Sequence, residues 1–233
     1  MYFPEGLSIA ITIKKIKKTM GLSSKELSNC LQSIYTQASI IDKLKIIYRP
    51  YICPFSDLIN ACKDSKSIMD IGCGSGQFLL LLSQYTKATN LGGIEISETL
   101  VNNAIELLSS QDKIRSHVEV FDGTHIPDFI CEFDTITMID VFHHIPKISQ
   151  ESFVTQLFRK MKTGSKFILK DINASHPLLF MNKLHDTLLG GGPGKEISVS
   201  TARELLTKTG FQIISVLEKT MLWYPHYTII CVK

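Results

Sequence analysis

A chain of 233 residues, 44% hydrophobic and 20% charged, is long enough to form one α/β domain with an appendage and to bury a substantial core. Its net charge of +3 is too small to argue for a nucleic-acid partner. Six cysteines without Cys-x-x-Cys spacing, no apolar run of membrane-spanning length, and lysines that follow rather than precede the apolar residues 7–13 describe a cytoplasmic protein with reduced thiols and no signal peptide.

Residues 1–66 carry helical periodicity, with Leu27, Leu31 and Ile34 in one run and Ile40, Ile41, Leu44, Ile47 and Tyr48 in the next, and read as a helical N-terminal cap. Lys14, Lys15, Lys17 and Lys18 within it read as a solvated helix face. Residues 67–233 form the main domain, in which strand-like and helix-like patterns alternate. The runs 67–71, 91–96, 117–121, 133–139 and 166–172 are short and mostly apolar, as expected of strands buried on both faces of a parallel sheet. Between them Leu100, Val101, Ala104, Ile105 and Leu108 share one helix face, as do Phe153, Val154, Leu157, Phe158 and Met161. Ser97 and Ser149 stand where N-caps are wanted, Thr201-x-x-Glu204 has the form of a capping box, and Gly210 stands where that helix should end. Residues 173–199 are an insertion, an apolar helical run over 177–189 followed by Gly190-Gly191-Gly192-Pro193-Gly194, which has the composition of a hinge. The strand-like runs 211–218 and 222–232 are separated only by Lys219, Thr220 and Met221, too few for a crossover helix, so the two must pair antiparallel or diverge.

The most specific signal is Asp70-Ile71-Gly72-Cys73-Gly74-Ser75-Gly76, placed between a strand and a helix. Glycines there let the backbone approach a ligand closely and turn amide N–H groups toward it. Dinucleotide binding prefers Gly-x-Gly-x-x-Gly, and Gln77 misses the last position. The carboxylate two residues before the first glycine would repel a phosphate and attract a cationic α-amino group. S-adenosylmethionine (SAM) has such an amino group and no phosphate. The motif resembles that of the class I SAM-dependent methyltransferases, and five alternating units followed by a terminal hairpin match their topology. The resemblance implies a doubly wound, seven-stranded, mostly parallel α/β sheet with a terminal antiparallel hairpin.

It also implies site residues. Asp70 would orient the methionine amino group, and Gly72, Cys73, Gly74 and Gly76 would line the backbone cradle. Glu95, about twenty residues on, is placed to bind the ribose hydroxyls with Ile96 beside it, and Asp122-Gly123 to meet the adenine amino group. Asp140, after the fourth strand, would lie where the methyl and the acceptor meet. The string Asp140-Val141-Phe142-His143-His144-Ile145-Pro146 is close to a form common among small-molecule methyltransferases of this class. Adjacent histidines on one turn point in different directions, so at most one faces the pocket; His143 is the candidate base, and packing or capping is as good an explanation of either. They lack the spacing of a metal pair. Asp171 ends the fifth strand, where it would orient the acceptor or take a proton. His176, His185 and Asp186 are further acceptor contacts, and Arg49, in Tyr48-Arg49-Pro50-Tyr51, either closes over a ligand carboxylate or forms a surface ion pair.

The expected function is SAM-dependent methyl transfer to a small organic acceptor, at oxygen before carbon or nitrogen, with the N-terminal helices and residues 173–199 forming the acceptor pocket under a glycine lid at 190–194. A non-catalytic SAM-binding subunit and an enzyme acting on nucleic acid or protein are the rival readings.

Overall fold

The structure, a computed structural model, describes residues 21–34, 40–177 and 195–233. The apolar runs become strands β1 (Ser67–Ile71), β2 (Asn90–Glu95), β3 (Arg115–Val120), β4 (Thr135–Ile139), β5 (Lys166–Ile172), β6 (Gln212–Met221) and β7 (Tyr224–Val232). They form one seven-stranded sheet in the order β3-β2-β1-β4-β5-β7-β6. The first five run parallel, and β7 lies antiparallel between β5 and β6. β1, β2, β4 and β5 are almost wholly buried, as their unbroken apolar sequence requires. β3 departs from that expectation: it is an edge strand, and Arg115, Ser116 and His117 are exposed.

The helices are α1 (Ser24–Ile34), α2 (Ile40–Ile52), α3 (Phe55–Cys62), α4 (Gln77–Tyr85), α5 (Glu98–Ser109), α6 (Lys147–Lys160) and α7 (Val199–Thr209). Two apolar layers sandwich the sheet. One gathers Leu27, Leu31, Leu58 and the α4 leucines against Ile68, Leu91 and Ile168. The other gathers Phe153, Leu157, Ala202 and Leu206 against Met69, Ile136, Phe167 and Ile229. Ser97 caps α5 as expected, accepting the Leu100 N–H, and Gly210 ends α7 in the left-handed conformation at φ 115°.

Three local expectations are corrected. Helix α6 starts at Lys147 behind Pro146, whose ring fixes the entry angle, so Ser149 lies inside the helix and caps nothing. Helix α7 is capped by Ser198, whose hydroxyl accepts the Thr201 N–H at 3.1 Å; the helix begins earlier than the Thr201 motif suggested. The terminal hairpin turns at Leu222-Trp223, because β6 continues through Lys219, Thr220 and Met221 to pair Met221 with Tyr224. Leu222 takes the left-handed position of that turn at φ 55°.

Candidate functional site

Between β1 and β4 the chain's connections depart in opposite directions, which opens a crevice at the carboxyl ends of those strands. The glycine loop leaves β1 on one side of it, and Asp140 with the short turn Phe142–His144 leaves β4 on the other. Gly72 holds φ 74°, and a β-carbon there would come within 2.4 Å of Val141 Cγ2, so only glycine lets these two loops close on each other. Gly74 also has positive φ, at 54°, yet no described residue lies within 4 Å of where its β-carbon would stand. That is the open side of the loop. Gly76 then begins α4, whose first amides have no intrahelical acceptor.

Glu95 braces the loop from β2. Its Oε2 accepts the Gly74 N–H and its Oε1 the Ser97 N–H, each at 3.1 Å. A carboxylate accepts about four hydrogen bonds, so Glu95 retains capacity for hydroxyl donors. Ile96, next to it, is 69% exposed. Cys73 is buried against Gly93, so what it offers a ligand is backbone. Asp122 is exposed and tied into its own turn: Oδ1 accepts the Thr124 and His125 N–H groups at 2.7 Å, and Oδ2 lies 2.6 Å from His125 Nδ1. The His125 amide, then its ring and the Thr124 amide, hold this carboxyl well below the usual carboxylate range. Gly123 follows at φ 83°, with no described residue within 4 Å of where its β-carbon would stand.

Asp70 is 3% exposed and accepts one short bond, 2.6 Å, from Thr137 Oγ1 on β4. Burial pushes its carboxyl up to about 7; the Thr137 bond and Arg49 oppose the shift and Glu95 adds to it. A raised folded value means that this group's contribution to stability is full below its unfolded value of 3.8 and is lost as pH rises through about 7. Asp70→Asn should therefore match the parent near pH 4 and become progressively more stable than it up to pH 7, read as a widening gap in melting temperature. A constant gap would show that Asp70 does not ionise in that window.

Consecutive residues of β5 point to opposite faces of the sheet, and each carries a charge. Lys170, with no exposed surface, pairs with Asp140 Oδ1, while Arg49 of α2 reaches Asp140 Oδ2 at 3.5 Å. Asp140 has left-handed backbone at φ 56°, and its N–H donates to the Lys170 carbonyl at 3.0 Å. Burial pushes the Asp140 carboxyl up, but Lys170, Arg49 and His226 together hold it below the usual range. His226 is buried and donates from Nε2 to the Ile52 carbonyl at 2.7 Å; burial, then Lys170, bring it down to about 4, so it stays neutral at physiological pH.

On the other face, Asp171 holds His143. Asp171 Oδ1 lies 2.6 Å from His143 Nδ1 and also accepts the Ile172 N–H, and Oδ2 accepts the His143 N–H at 3.0 Å. An ionised carboxylate only accepts, so the proton sits on Nδ1 and Nε2 is left with a lone pair. Burial pulls the His143 value down, and Asp171, Asp140 and Glu196 outweigh it, leaving it above the ordinary 6.5. His144 is exposed and its ring packs beside that of His143, with centroids 4.1 Å apart, so the adjacent rings lie side by side rather than diverging. The Lys195 N–H donates to the His143 carbonyl at 2.9 Å, and the Ala174 N–H donates to the Ile197 carbonyl, joining the two described ends of the insertion to each other. His176 lies in the turn after β5. His185, Asp186, residues 190–194 and the Lys14–Lys18 cluster lie outside the described residues.

Residues 47–216 match the family described as a methyltransferase domain. The chain belongs to that methyltransferase family. It is 31% identical over 117 residues to a tRNA (guanine-N(7)-)-methyltransferase of Prochlorococcus marinus, covering 44% of this chain and 54% of that protein. It is 25% identical over 159 residues to a sterol 24-C-methyltransferase of Kluyveromyces lactis, covering 65% and 42%. The chain thus spans about half the length of these relatives. Magnesium protoporphyrin IX methyltransferase of Synechocystis, solved with S-adenosylhomocysteine, superposes with a TM-score of 0.65 at 18% identity, covering 88% of this chain and 93% of that one.

The cofactor of this class of methyltransferase is SAM, and the crevice fits it. The buried carboxylate of Asp70 suits an ammonium, Gly74 offers an open backbone face, Glu95 has acceptor capacity for hydroxyls, and Ile96 presents an apolar surface for a ring. Among the described residues no cluster of His, Cys, Asp and Glu could hold a metal ion. Lys170, Thr137, His226 and Glu196 were not singled out by sequence reasoning as site residues. The signal for Lys170 was present: a lysine inside the apolar strand 166–172 requires an anion.

Proposed function

We propose that this methyltransferase transfers the methyl group of SAM to an oxygen of a small organic acceptor, with His143 as general base and Asp171 as its anchor. The observation that carries the reading is the half-buried pair His143 Nδ1–Asp171 Oδ1 at 2.6 Å, at the carboxyl ends of β4 and β5. Bound SAM would supply an electrophilic methyl on a sulfonium, and an in-line displacement needs chiefly that the two partners be held together. A base is needed only where the attacking atom carries a proton, as a hydroxyl does. His143 Nε2 would accept that proton while Asp171 stabilises the imidazolium that forms. Asp70, Glu95 and the loop Gly72–Gly76 hold the cofactor end, with Asp122-Gly123 at the adenine. Asp140, clamped by Lys170 and Arg49, stands between the two halves. Lys195, which bonds the His143 carbonyl, brings one described end of the segment 173–199 to the acceptor side.

SAM and S-adenosylhomocysteine should raise the melting temperature, and NAD should not; at a hundred times its dissociation constant a ligand adds about 2.7 kcal/mol. Methyl-labelled SAM offered with panels of phenols, carboxylic acids, amines and unmodified tRNA then tests the acceptor class. Label in phenols or acids supports the reading, and label only in tRNA or amines overturns it.

A further inference from the structure

Tyr227 on β7 stands directly opposite Asp171 on β5, so the two side chains rise from the same face of the sheet. Its ring has no exposed surface and belongs to the apolar layer beneath α6 and α7. The hydroxyl is buried and makes no hydrogen bond to any described residue. A buried hydroxyl left without a partner is costly, and buried polar groups in folded proteins almost always have one. Burial, then the negative charges of Asp171 and Asp140, raise this phenol well above its ordinary 10, so it remains protonated and available as a donor. Asp171, for its part, accepts two hydrogen bonds at Oδ1 and one at Oδ2. A carboxylate oxygen has about two acceptor positions, so Oδ2 keeps one in reserve. Among the described residues, a donor without a partner and an acceptor with capacity to spare thus rise from paired positions on one buried face of the sheet.

We propose that Tyr227 is a positioning residue for the His143 base, its hydroxyl donating to Asp171 Oδ2 through one enclosed water. The inference rests on the reading of His143 as that base. Buried polar groups that lack a protein partner are commonly satisfied by a retained structural water. The bridge fixes the Asp171 carboxylate in the plane that holds His143 Nδ1, so that Nε2 keeps its aim at the acceptor. It also draws charge from Asp171, which lowers the affinity of the imidazole for a proton. The other groups facing His143 are Asp140 at the end of β4, Glu196 ahead of α7 and the neighbouring His144 ring, and Tyr227→Phe removes none of them.

The test needs no acceptor. Histidine side chains of the full chain, loaded with S-adenosylhomocysteine, are titrated by NMR in the parent and in Tyr227→Phe, with His143→Ala and His144→Ala assigning the two signals. Loss of the bridging donor should raise the His143 value by about half a unit, roughly threefold in proton affinity. An unchanged His143 titration in a folded Tyr227→Phe, most tellingly with a raised melting temperature, would mean the hydroxyl is merely tolerated, and the proposal falls. A high-resolution crystal structure of the parent is the second arm and does not depend on the variant folding. A water within about 3.2 Å of both Tyr227 Oη and Asp171 Oδ2 supports the bridge, and apolar atoms filling that space overturn it. Neither readout involves turnover, so their failure is distinct from failure of the base assignment, which would show as full activity in His143→Ala.

Discussion

Lys170→Met is expected to destabilise the fold by about 3–5 kcal/mol, the usual cost of removing one partner from a buried ion pair. Lys170 has no exposed surface, and Asp140 is only 24% exposed at its side chain. Arg49 remains near Asp140 in the variant but at 3.5 Å and with 42% of its own side chain in solvent, so it replaces little of the lost attraction. In the parent, the cations around Asp140 depress its carboxyl. A depressed carboxyl contributes stability above its unfolded value that is lost as pH falls toward the folded one. Lys170→Met should lose most of that contribution, so the gap from the parent should be wide at pH 7 and narrow in acid. Urea unfolding at pH 7 and at a pH well below the unfolded value of 3.8 measures both. Lys170→Met combined with Asp140→Asn should recover part of the loss, since no uncompensated charge is then buried. A loss under about 1 kcal/mol, the range of an exposed pair, would show that Lys170 and Asp140 are solvated together.

The parts of the fold that could be read from the sequence were set by local pattern or by chain length. The motif from Asp70 to Gly76 is a spacing of glycines and one carboxylate, and spacing survives in any context. The hairpin followed from the shortness of the link between the last two strands, a topological limit rather than a propensity. What escaped notice depends on neighbours far along the chain. Ser149 has a good capping side chain, but Pro146 had already set where α6 begins. Leu222 has no preference for left-handed backbone, and it adopts φ 55° because β6 and β7 pair up to Met221 and Tyr224 on either side. Lys170 could be recognised as needing an anion, yet that Asp140 answers it is decided by the pairing of Ile139 with Lys170 across β4 and β5. Likewise His143 and Asp171 were each legible as carboxyl-edge residues, but their joining required the turn Phe142–His144 to fold back over β5. The burial of Asp70 is of the same kind. A carboxylate at that spacing suggested a partner for an ammonium, and only the packing of Thr137 beside it shows how far it is withdrawn from water.

His143→Ala is expected to lower kcat by roughly a hundred- to ten-thousandfold, the usual contribution of a positioned general base, while SAM affinity stays close to that of the parent. The two effects separate because the proposed cofactor contacts follow β1, β2 and β3, whereas His143, on the turn after β4, touches Asp171. The pH dependence gives a sharper signature. Asp171, with Asp140 and Glu196, outweighs burial and raises His143 above 6.5, and a base works only when neutral. Turnover by the parent should therefore fall as pH drops through that raised value, and His143→Ala should lose this acid limb along with most of its rate. Stability moves in the opposite sense. A group whose folded value is raised contributes stability that is complete below its unfolded value and lost as pH rises through the folded one. His143→Ala should thus be more destabilising at pH 6 than at pH 8. Asp171→Asn should keep the fold but lose the acid limb's upward displacement, since the amide carries no charge to hold the imidazolium. Initial rates of transfer from methyl-labelled SAM between pH 5.5 and 9, with melts on the same samples, decide it. A variant that keeps both the rate and the acid limb would remove His143 from the chemistry, leaving methyl transfer that runs on alignment of acceptor and sulfonium alone.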